Sequence, residues 1–444
     1  MKFVIVGAGQ VGTDIASNLS SRHDVTVVDQ ESDRVEEINY NVDALAVEGD
    51  GTTLECLREV GAGDADVLIS STDDDETNLV VCGSAKTLGD PFTIARVAHR
   101  QYQETWEVSP GAFGVDYIVA ADVLTAESIV RIVKTPAAHD VDVFSEGKVL
   151  MAEFEVLEDG GVGGKTVAEA DHYPRLTFAA VLRNGDVVIP GGDTSIEVGD
   201  KVIVIGDPDS VHEFAIEVAP DALDENDEVF VFGGSEIGFE VAQLLQDRGL
   251  EPRVVERDEE RARWLAEELP GAVVFNSDAT DREFLEREHV GDADVVVSAL
   301  DNDERNLLSS LIADSMGAER NVAVVEHTQY VELFEAVGVD VAVNPREIVA
   351  EEIVRLTQNG HTTNLAFVGG EQAEVVEIEV DEDSVFAGRT LKEADADLPD
   401  GVVVGAVSRD LDFVVPRGDS RIEKGDHVIV FIDDRVYDEV IDRL

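Results

Sequence analysis

The chain has 444 residues, 44% of them hydrophobic, and 33 basic against 96 acidic residues give a net charge of −63. That length accommodates roughly two to four domains at ~100–200 residues each, and acids spread through every segment, with no basic stripe, exclude nucleic acid and anionic lipid as direct partners. Such self-repulsion is tolerable where molar salt shortens the Debye length to ~3 Å, so the composition fits a salt-rich, halophilic cytoplasm.

Taken in chain order, Met1-Lys2-Phe3 runs directly into an apolar strand, Lys2 to Val6, and no stretch approaches the ~20 apolar residues of a membrane span; a cytoplasmic protein is expected. The strand ends in Gly7-Ala8-Gly9-Gln10-Val11-Gly12, after which Val11, Ile15, Ala16 and Leu19 share one helical face. Further strands are predicted at Val25 to Asp29, Ala44 to Val47, Val67 to Ser70, Phe92 to Arg96 and Tyr117 to Val119. Helix-period residues occupy Leu54 to Val60 and Asn78 to Leu88, giving the alternation of a doubly wound parallel sheet. Cys56 and Cys82 lie in these apolar helical contexts without metal-ligand spacing and read as small buried hydrophobes.

A helix from about Asp122 to Lys134 follows, stopped by Thr135-Pro136. The pattern then changes to short strands and tight turns, with Arg183-Asn184-Gly185-Asp186 a hairpin signal between Ala179 to Leu182 and Val187 to Ile189. After an acidic linker, Asp221 to Glu228, the whole order repeats. Phe232-Gly233-Gly234-Ser235-Glu236-Ile237-Gly238 answers the first glycine turn, and Val254-Val255-Glu256 answers Val27-Val28-Asp29. Gly291-Asp292-Ala293-Asp294 answers Gly63-Asp64-Ala65-Asp66, and Leu300-Asp301 through Arg305-Asn306 answers Thr72-Asp73 through Thr77-Asn78. The second long helix is signposted by Asn344 as N-cap, Pro345, Glu347 and the terminator Asn359-Gly360. Its Ile348, Ile353 and Val354, like Ile129, Val130 and Val133 before, form an apolar stripe that packs either on the parent sheet or on a partner subunit. Pro190 to Val204 recurs as Pro416 to Val430. The expected fold is α/β: a duplicated Rossmann-like doubly wound parallel sheet, each copy followed by a small α+β lobe, with domains at 1–134, 137–222, 227–359 and 362–444.

A GxGxxG turn alone is weak, but here it follows a buried strand, opens an amphipathic helix and precedes an acid at the next strand tip, Asp29. Glycines let backbone approach a pyrophosphate, first-turn amides point at it, and Asp29 accepts from ribose hydroxyls while repelling a 2′-phosphate. Arg96, at the end of its strand, is placed to clamp phosphate. In the second copy Ser235 replaces the middle glycine and Val324 replaces Arg96, so weaker or different binding is expected there, with Glu256 still a ribose acceptor. Catalytic constellations are missing: His99 and His327 read as solvated, and Asp73 to Asp75 as a solvated turn before a metal cluster.

With Gly7 to Gly12, Asp29, Gly49-Asp50, Thr72-Asp73 and Ala95-Arg96 in this four-part order, the chain resembles the TrkA family, the cytosolic regulatory subunits of Trk-type potassium uptake systems, with tandem RCK (KTN) and TrkA-C lobes. The resemblance implies NAD(H), and ATP or ADP, as ligands, and no catalysis. It implies a homo-oligomeric ring, a dimer of dimers, held peripherally on the cytoplasmic face by a membrane-embedded potassium-translocating subunit. Carried over, it puts Gly7, Ala8, Gly9, Gln10, Val11, Gly12 and Arg96 at phosphate, Asp29 at ribose, Asp50 at adenine or its ribose, and Thr72 and Asp73 along the crevice. Gly233, Gly234, Ser235, Glu236, Ile237, Glu256, Asp278, Leu300 and Asp301 are the second-copy counterparts. A regulator of another cation transporter, such as an antiporter or efflux system, and a soluble NAD-dependent oxidoreductase are the alternatives.

Overall fold

The computed structural model describes residues 1–20, 22–135, 138–157, 161–183, 186–218, 228–357, 362–368, 373–382, 384–409, 412–414 and 416–444. The first copy opens with strands β1 (Lys2–Val6), β2 (Asp24–Asp29), β3 (Leu45–Glu48), β4 (Val67–Ser70), β5 (Phe92–Val97) and β6 (Tyr117–Ala120). Helices α1 (Gln10–Ser20), α2 (Ser32–Asn41), α3 (Leu54–Glu59), α4 (Asp75–Ala85), α5 (Arg100–Val108) and α6 (Ala121–Lys134) alternate with them. The strands form one parallel sheet in the order β3-β2-β1-β4-β5-β6, which puts the switch point between β1 and β4. Near-continuous Val and Ile runs such as Phe3, Val4 and Ile5 are fully buried, as a sheet covered on both faces requires.

Next come β7 (Ala138–Phe144), β8 (Val149–Glu155), helix α7 (Val167–Ala170), β9 (Leu176–Arg183), β10 (Asp186–Val188), β11 (Lys201–Gly206) and α8 (Pro208–Val218). These strands form an antiparallel sheet. Pairing of Asp186 with Arg183 and Val187 with Leu182 gives the predicted hairpin, while its turn, 184–185, lies outside the described residues, as do 136 and most of the linker predicted at 221–228.

The second copy repeats the order. Its parallel sheet comprises β12 (Val229–Phe232), β13 (Arg253–Glu256), β14 (Val273–Asn276), β15 (Val295–Ser298), β16 (Arg320–Val324) and β17 (Val341–Val343). The helices are α9 (Glu236–Asp247), α10 (Glu259–Glu268), α11 (Arg282–Arg287), α12 (Asp303–Met316), α13 (Val331–Ala336) and α14 (Pro345–Thr357). An antiparallel sheet of β18 (Thr362–Val368), β19 (Ala373–Glu379), β20 (Val402–Arg409), β21 (Asp412–Val414) and β22 (His427–Asp433) ends the chain.

These pieces gather into two compact units, Met1–Val130 with Asn226–Thr357, and Arg131–Glu225 with Gln358–Leu444. The first holds both parallel sheets. Within it α14 packs along α1 and reaches β6, both in the first copy. The helix that carries the apolar stripe, with Ile353 and Val354 buried, thus packs on the other copy within the same chain, a placement besides the two its sequence left open, the parent sheet and a partner subunit. Its start is as predicted, since Asn344 Oδ1 accepts from the amides of Arg346 (2.8 Å) and Glu347 (3.2 Å), whereas the terminator at 359–360 lies outside the described residues.

In the second unit the two antiparallel sheets share one apolar seam, in which Phe144, Met151, Ile203 and Ile205 meet Val375, Ala406, Ile429 and Phe431. At Gly405 a Cβ would lie 2.4 Å from Ile205 Cδ1, so close approach of the sheets needs glycine there. Matched bidentate pairs hold the recurring segments, with Arg183 Nε donating to Asp200 Oδ1 at 2.8 Å and Arg409 Nε to Asp426 Oδ1 at 2.7 Å.

Candidate functional site

In each parallel sheet the loops that leave the switch point gather at the carboxyl ends of the strands, where open α/β sheets place their ligand crevice. In the first copy the turn after β1 is close-packed. Gly7 has φ +108°, and a Cβ on Gly12 would lie 1.9 Å from Gly7 O. Gly9 differs, since its nearest neighbour to an added Cβ would be Arg34 Nη1 at 3.7 Å. Gly7 and Gly12 make the turn possible, and Gly9 keeps the space above it clear. The first-turn amides of α1, including Gln10 and Val11, have no intrahelical acceptors, as at any helix start.

Asp29, at the end of β2, accepts from Ala8 N (2.6 Å) and from Glu31 N (2.9 Å), pinning the turn to the strand tip. Arg34 Nη1 lies 3.9 Å from the same carboxylate. Asp50 follows β3, and the hydroxyl and amide of Thr52, 2.6 and 3.0 Å away, hold its carboxyl below the ordinary range. Thr72 and Asp73 follow β4 and meet Arg96 on β5, whose Nη1 donates to Thr72 O at 3.2 Å and lies 3.6 Å from Asp73. All the first-copy residues predicted for the site thus come together on one sheet edge.

Two polar atoms on this wall, Arg96 Nε and Ser71 Oγ, are buried with no hydrogen-bond partner. Unpaired buried groups are costly in a native fold, and a ligand with phosphate and hydroxyl oxygens is what such donors fit. Ser71 was not among the predicted residues; its only signal was its place beside Thr72.

Asn78, on α4, organises the wall and was also missed. Its Oδ1 accepts from Thr72 N, Thr72 Oγ1 and Ser70 Oγ, and its Nδ2 donates to Thr72 O and Arg96 O, all within 2.7–3.0 Å. Asn306 repeats this, donating to Val324 O at 2.9 Å and accepting from Leu300 N at 2.7 Å. Its signal was present in the sequence, as an asparagine kept in both repeats.

The second crevice keeps the frame and changes the charges. Glu256 accepts from Gly234 N (2.7 Å) and Asp258 N (2.7 Å), as Asp29 does in the first copy. Ser235 caps α9, its Oγ accepting from Gly238 N (3.1 Å) and donating to Ala299 O (2.8 Å), so the hydroxyl takes a first-turn amide that Gly9 leaves available. Ala299 and Val324 stand where Ser71 and Arg96 stand in the first copy. Positive charge arrives instead from three arginines that were not predicted. Arg305 bridges Asp278 (3.2 Å) and Asp301 (3.1 Å), Arg257 reaches Asp301 (2.8 Å), and Arg261 Nε donates to Gly234 O (2.6 Å). Burial alone would raise the Asp278 carboxyl, but the Thr280 amide and hydroxyl and Arg305 hold it low. Glu236 pairs with Arg261 at 3.1 Å, and Ile237 and Leu300 complete the turn and wall.

His99 and His327 are largely exposed, as expected, and each ring Nδ1 also meets a buried carboxylate, Asp75 at 2.7 Å and Asp303 at 2.6 Å. One expectation is corrected: Asp73 to Asp75 is not wholly a solvated turn. Asp73 is exposed and Asp74 caps α4, but Asp75 is buried and also accepts from Ala98 N and His99 N. Its carboxylate raises the pKa of His99. Among the described residues no cluster could hold a metal ion, and no helix is long and apolar enough to cross a membrane.

A Rossmann lobe joined to a small β-rich lobe, both duplicated, with a glycine turn and strand-tip acid in each copy, defines a class of tandem Rossmann-type proteins. The TrkA-N domain matches residues 3–121 and 229–345, and the TrkA-C domain matches 151–216 and 375–444. The chain belongs to the TrkA family. It is 34% identical over 439 residues to Trk system potassium uptake protein TrkA homolog 2 of Methanosarcina mazei, covering 97% of each chain. To the TrkA homolog of Archaeoglobus fulgidus it is 35% identical, again covering 97% of each, and to TrkA of Haemophilus influenzae 30%, covering 98% of this chain and 96% of that one. Among solved structures, the GsuK channel superposes with a TM-score of 0.64 at 19% identity, covering 99% of this chain and 79% of that chain. The GsuK channel bound to NAD gives 0.62 at 19%, with the same coverage. The likeness to these structures is one of fold.

Proposed function

We propose that this chain is a nucleotide-sensing regulatory subunit that binds NAD(H), or ATP and ADP, in its crevices and gates a membrane-embedded potassium-translocating subunit. Its relatives carry the name of a potassium uptake system, and a fold neighbour is a channel bound to NAD. The observation that carries the reading is the first crevice: a turn cleared at Gly9, an acid at the β2 tip, and the unpartnered Arg96 Nε and Ser71 Oγ aligned on one edge. That edge fits a dinucleotide or adenine nucleotide, and the second crevice, with Arg257 and Arg305 at Asp301 and Asp278 and Arg261 at the glycine turn, fits an anionic nucleotide differently held. The role is regulatory rather than catalytic, in keeping with relatives named for a potassium uptake system.

The gating is a population shift in which a nucleotide that prefers one arrangement of the lobes biases the partner's pore, with coupling typically of ~1–3 kcal/mol. The working assembly is a ring of copies, a dimer of dimers, on the cytoplasmic face of the membrane. Potassium flux through the co-reconstituted membrane subunit tests this. Nucleotide control should vanish in Asp29→Ala and Arg96→Ala proteins that still assemble, whereas unchanged control in both would refute the reading.

A further inference from the structure

We infer that Arg100 and Glu240 form a positioning strut that couples the two crevices, so that filling the first alters the helix that carries the phosphate turn of the second. The inference rests on the nucleotide reading above. Arg100 Nη1 meets Glu240 Oε2 at 2.7 Å, joining α5 of the first copy to α9 of the second.

Each end is tied to a crevice. Arg100 opens α5 just past Arg96, and the intervening backbone is held at Ala98 N and His99 N by Asp75 (2.9 and 3.0 Å). Asp75 in turn opens α4 directly after the Thr72–Asp74 loop, to which Arg96 itself is bonded through Thr72 O. The guanidinium that faces the first crevice and the one that crosses between copies therefore sit on one short segment, pinned to one loop. At the other end, Glu240 lies about one turn into α9, whose cap is Ser235.

The strut is stiff at one end. The Glu240 side chain is 4% exposed, and burial is the main cause pushing its carboxyl up, with Arg100 opposing. A buried carboxylate stripped of its partner is costly, so a shift of Arg100 must be followed by α9 or leave the charge uncompensated. Arg100 has one competing acceptor on its own helix, Glu104 Oε1 at 3.2 Å from Nε. The repeat-equivalent residues are Thr328 and Asp14, where Thr328 Oγ1 accepts from Asn344 Nδ2 at 3.1 Å and Asp14 Oδ1 from Gln10 Nε2 at 3.0 Å, with no arginine at the equivalent position. The link thus runs from the first β5 wall to the helix that follows the second glycine turn.

The test is calorimetric titration of the full chain with ATP and with NADH at high salt, repeated in Asp29→Ala protein, which disables the first crevice. The ratio of second-crevice affinities with the first filled and with it disabled is the coupling factor, expected to be about 5-fold or more. In Glu240→Gln and Arg100→Gln it should fall to within about twofold of one, and Arg100→Lys should restore most of it, with every variant still melting cooperatively. A factor unchanged in both Gln variants, or already near one in the parent chain, overturns the strut while leaving the nucleotide reading intact. Failure of the parent chain to bind either nucleotide removes that reading, and the strut with it.

Discussion

Asp29 does two things at once: it fixes the glycine turn through Ala8 N and Glu31 N, and it stands where ribose hydroxyls would be received. Replacing it with alanine should therefore cost stability and binding together, about 1–3 kcal/mol by urea melts and at least about tenfold in nucleotide affinity by calorimetry. A loss of stability without loss of affinity would reduce Asp29 to a turn pin. Asn78 is more purely structural. It is fully buried with both ends of its amide used, so Asn78→Ala should destabilise by about 2–4 kcal/mol in urea melts.

Asp122, which starts α6 beside Arg96, is a carboxyl whose pKa burial, then Glu236, pushes up to about 6, with Glu326 adding to the rise and Arg96 and His99 opposing it. The sign follows from linkage. A folded pKa above the ordinary ~3.9 means that the advantage of the protonated form is complete below about pH 4 and is lost as pH rises toward 6. Asp122→Asn should accordingly melt like the parent near pH 4 and be more stable at pH 7.5, by on the order of 1–3 kcal/mol. Melting curves across that range check it, and a pH-independent difference would contradict it.

At the scale of elements, α14 decides how the two parallel sheets form one unit. Ile353 is fully buried on that helix, which packs on α1 of the other copy. Ile353→Ala should cost about 2–5 kcal/mol and lower the unfolding of both parallel sheets together, seen as hydrogen exchange rising in β1 and β12 alike. Elements with strong periodicity were legible in the sequence. All six strands of the first sheet sit within a residue or so of their predicted bounds, because Val and Ile runs buried on both faces leave little choice. Helices α2 and α5 were not foreseen, since α2 buries only Val35 and Ile38 and α5 buries nothing. Both segments are too polar overall to read as core-facing helices. The destination of α14 was hidden for another reason: an apolar stripe states that something covers it, not what.

The same limit governs the candidate sites. Gly7 to Gly12, Asp29 and Arg96 were readable because backbone geometry and strand position constrain them locally. Arg257, Arg261 and Arg305 were not, since an arginine beside acids in a chain this acidic looks like any surface pair until the fold places it over a crevice.

For the whole molecule the charge of −63 sets the working conditions. Most of it lies on the surface, where pairs are individually weak and repulsion is collective, so the melting temperature should climb as potassium chloride rises from about 0.1 M toward 1 M and the Debye length falls from about 10 to about 3 Å. A flat or falling curve would mean that local pairing already neutralises the repulsion. The claim on which the account stands is that matched glycine turns hold adenine nucleotides, and direct calorimetry of the purified chain in molar potassium chloride tests it most plainly. Saturable binding of NADH or ATP to two places per chain, with Arg96→Ala weakening one of them only, is the predicted result; no detectable binding of any adenosine nucleotide would contradict it.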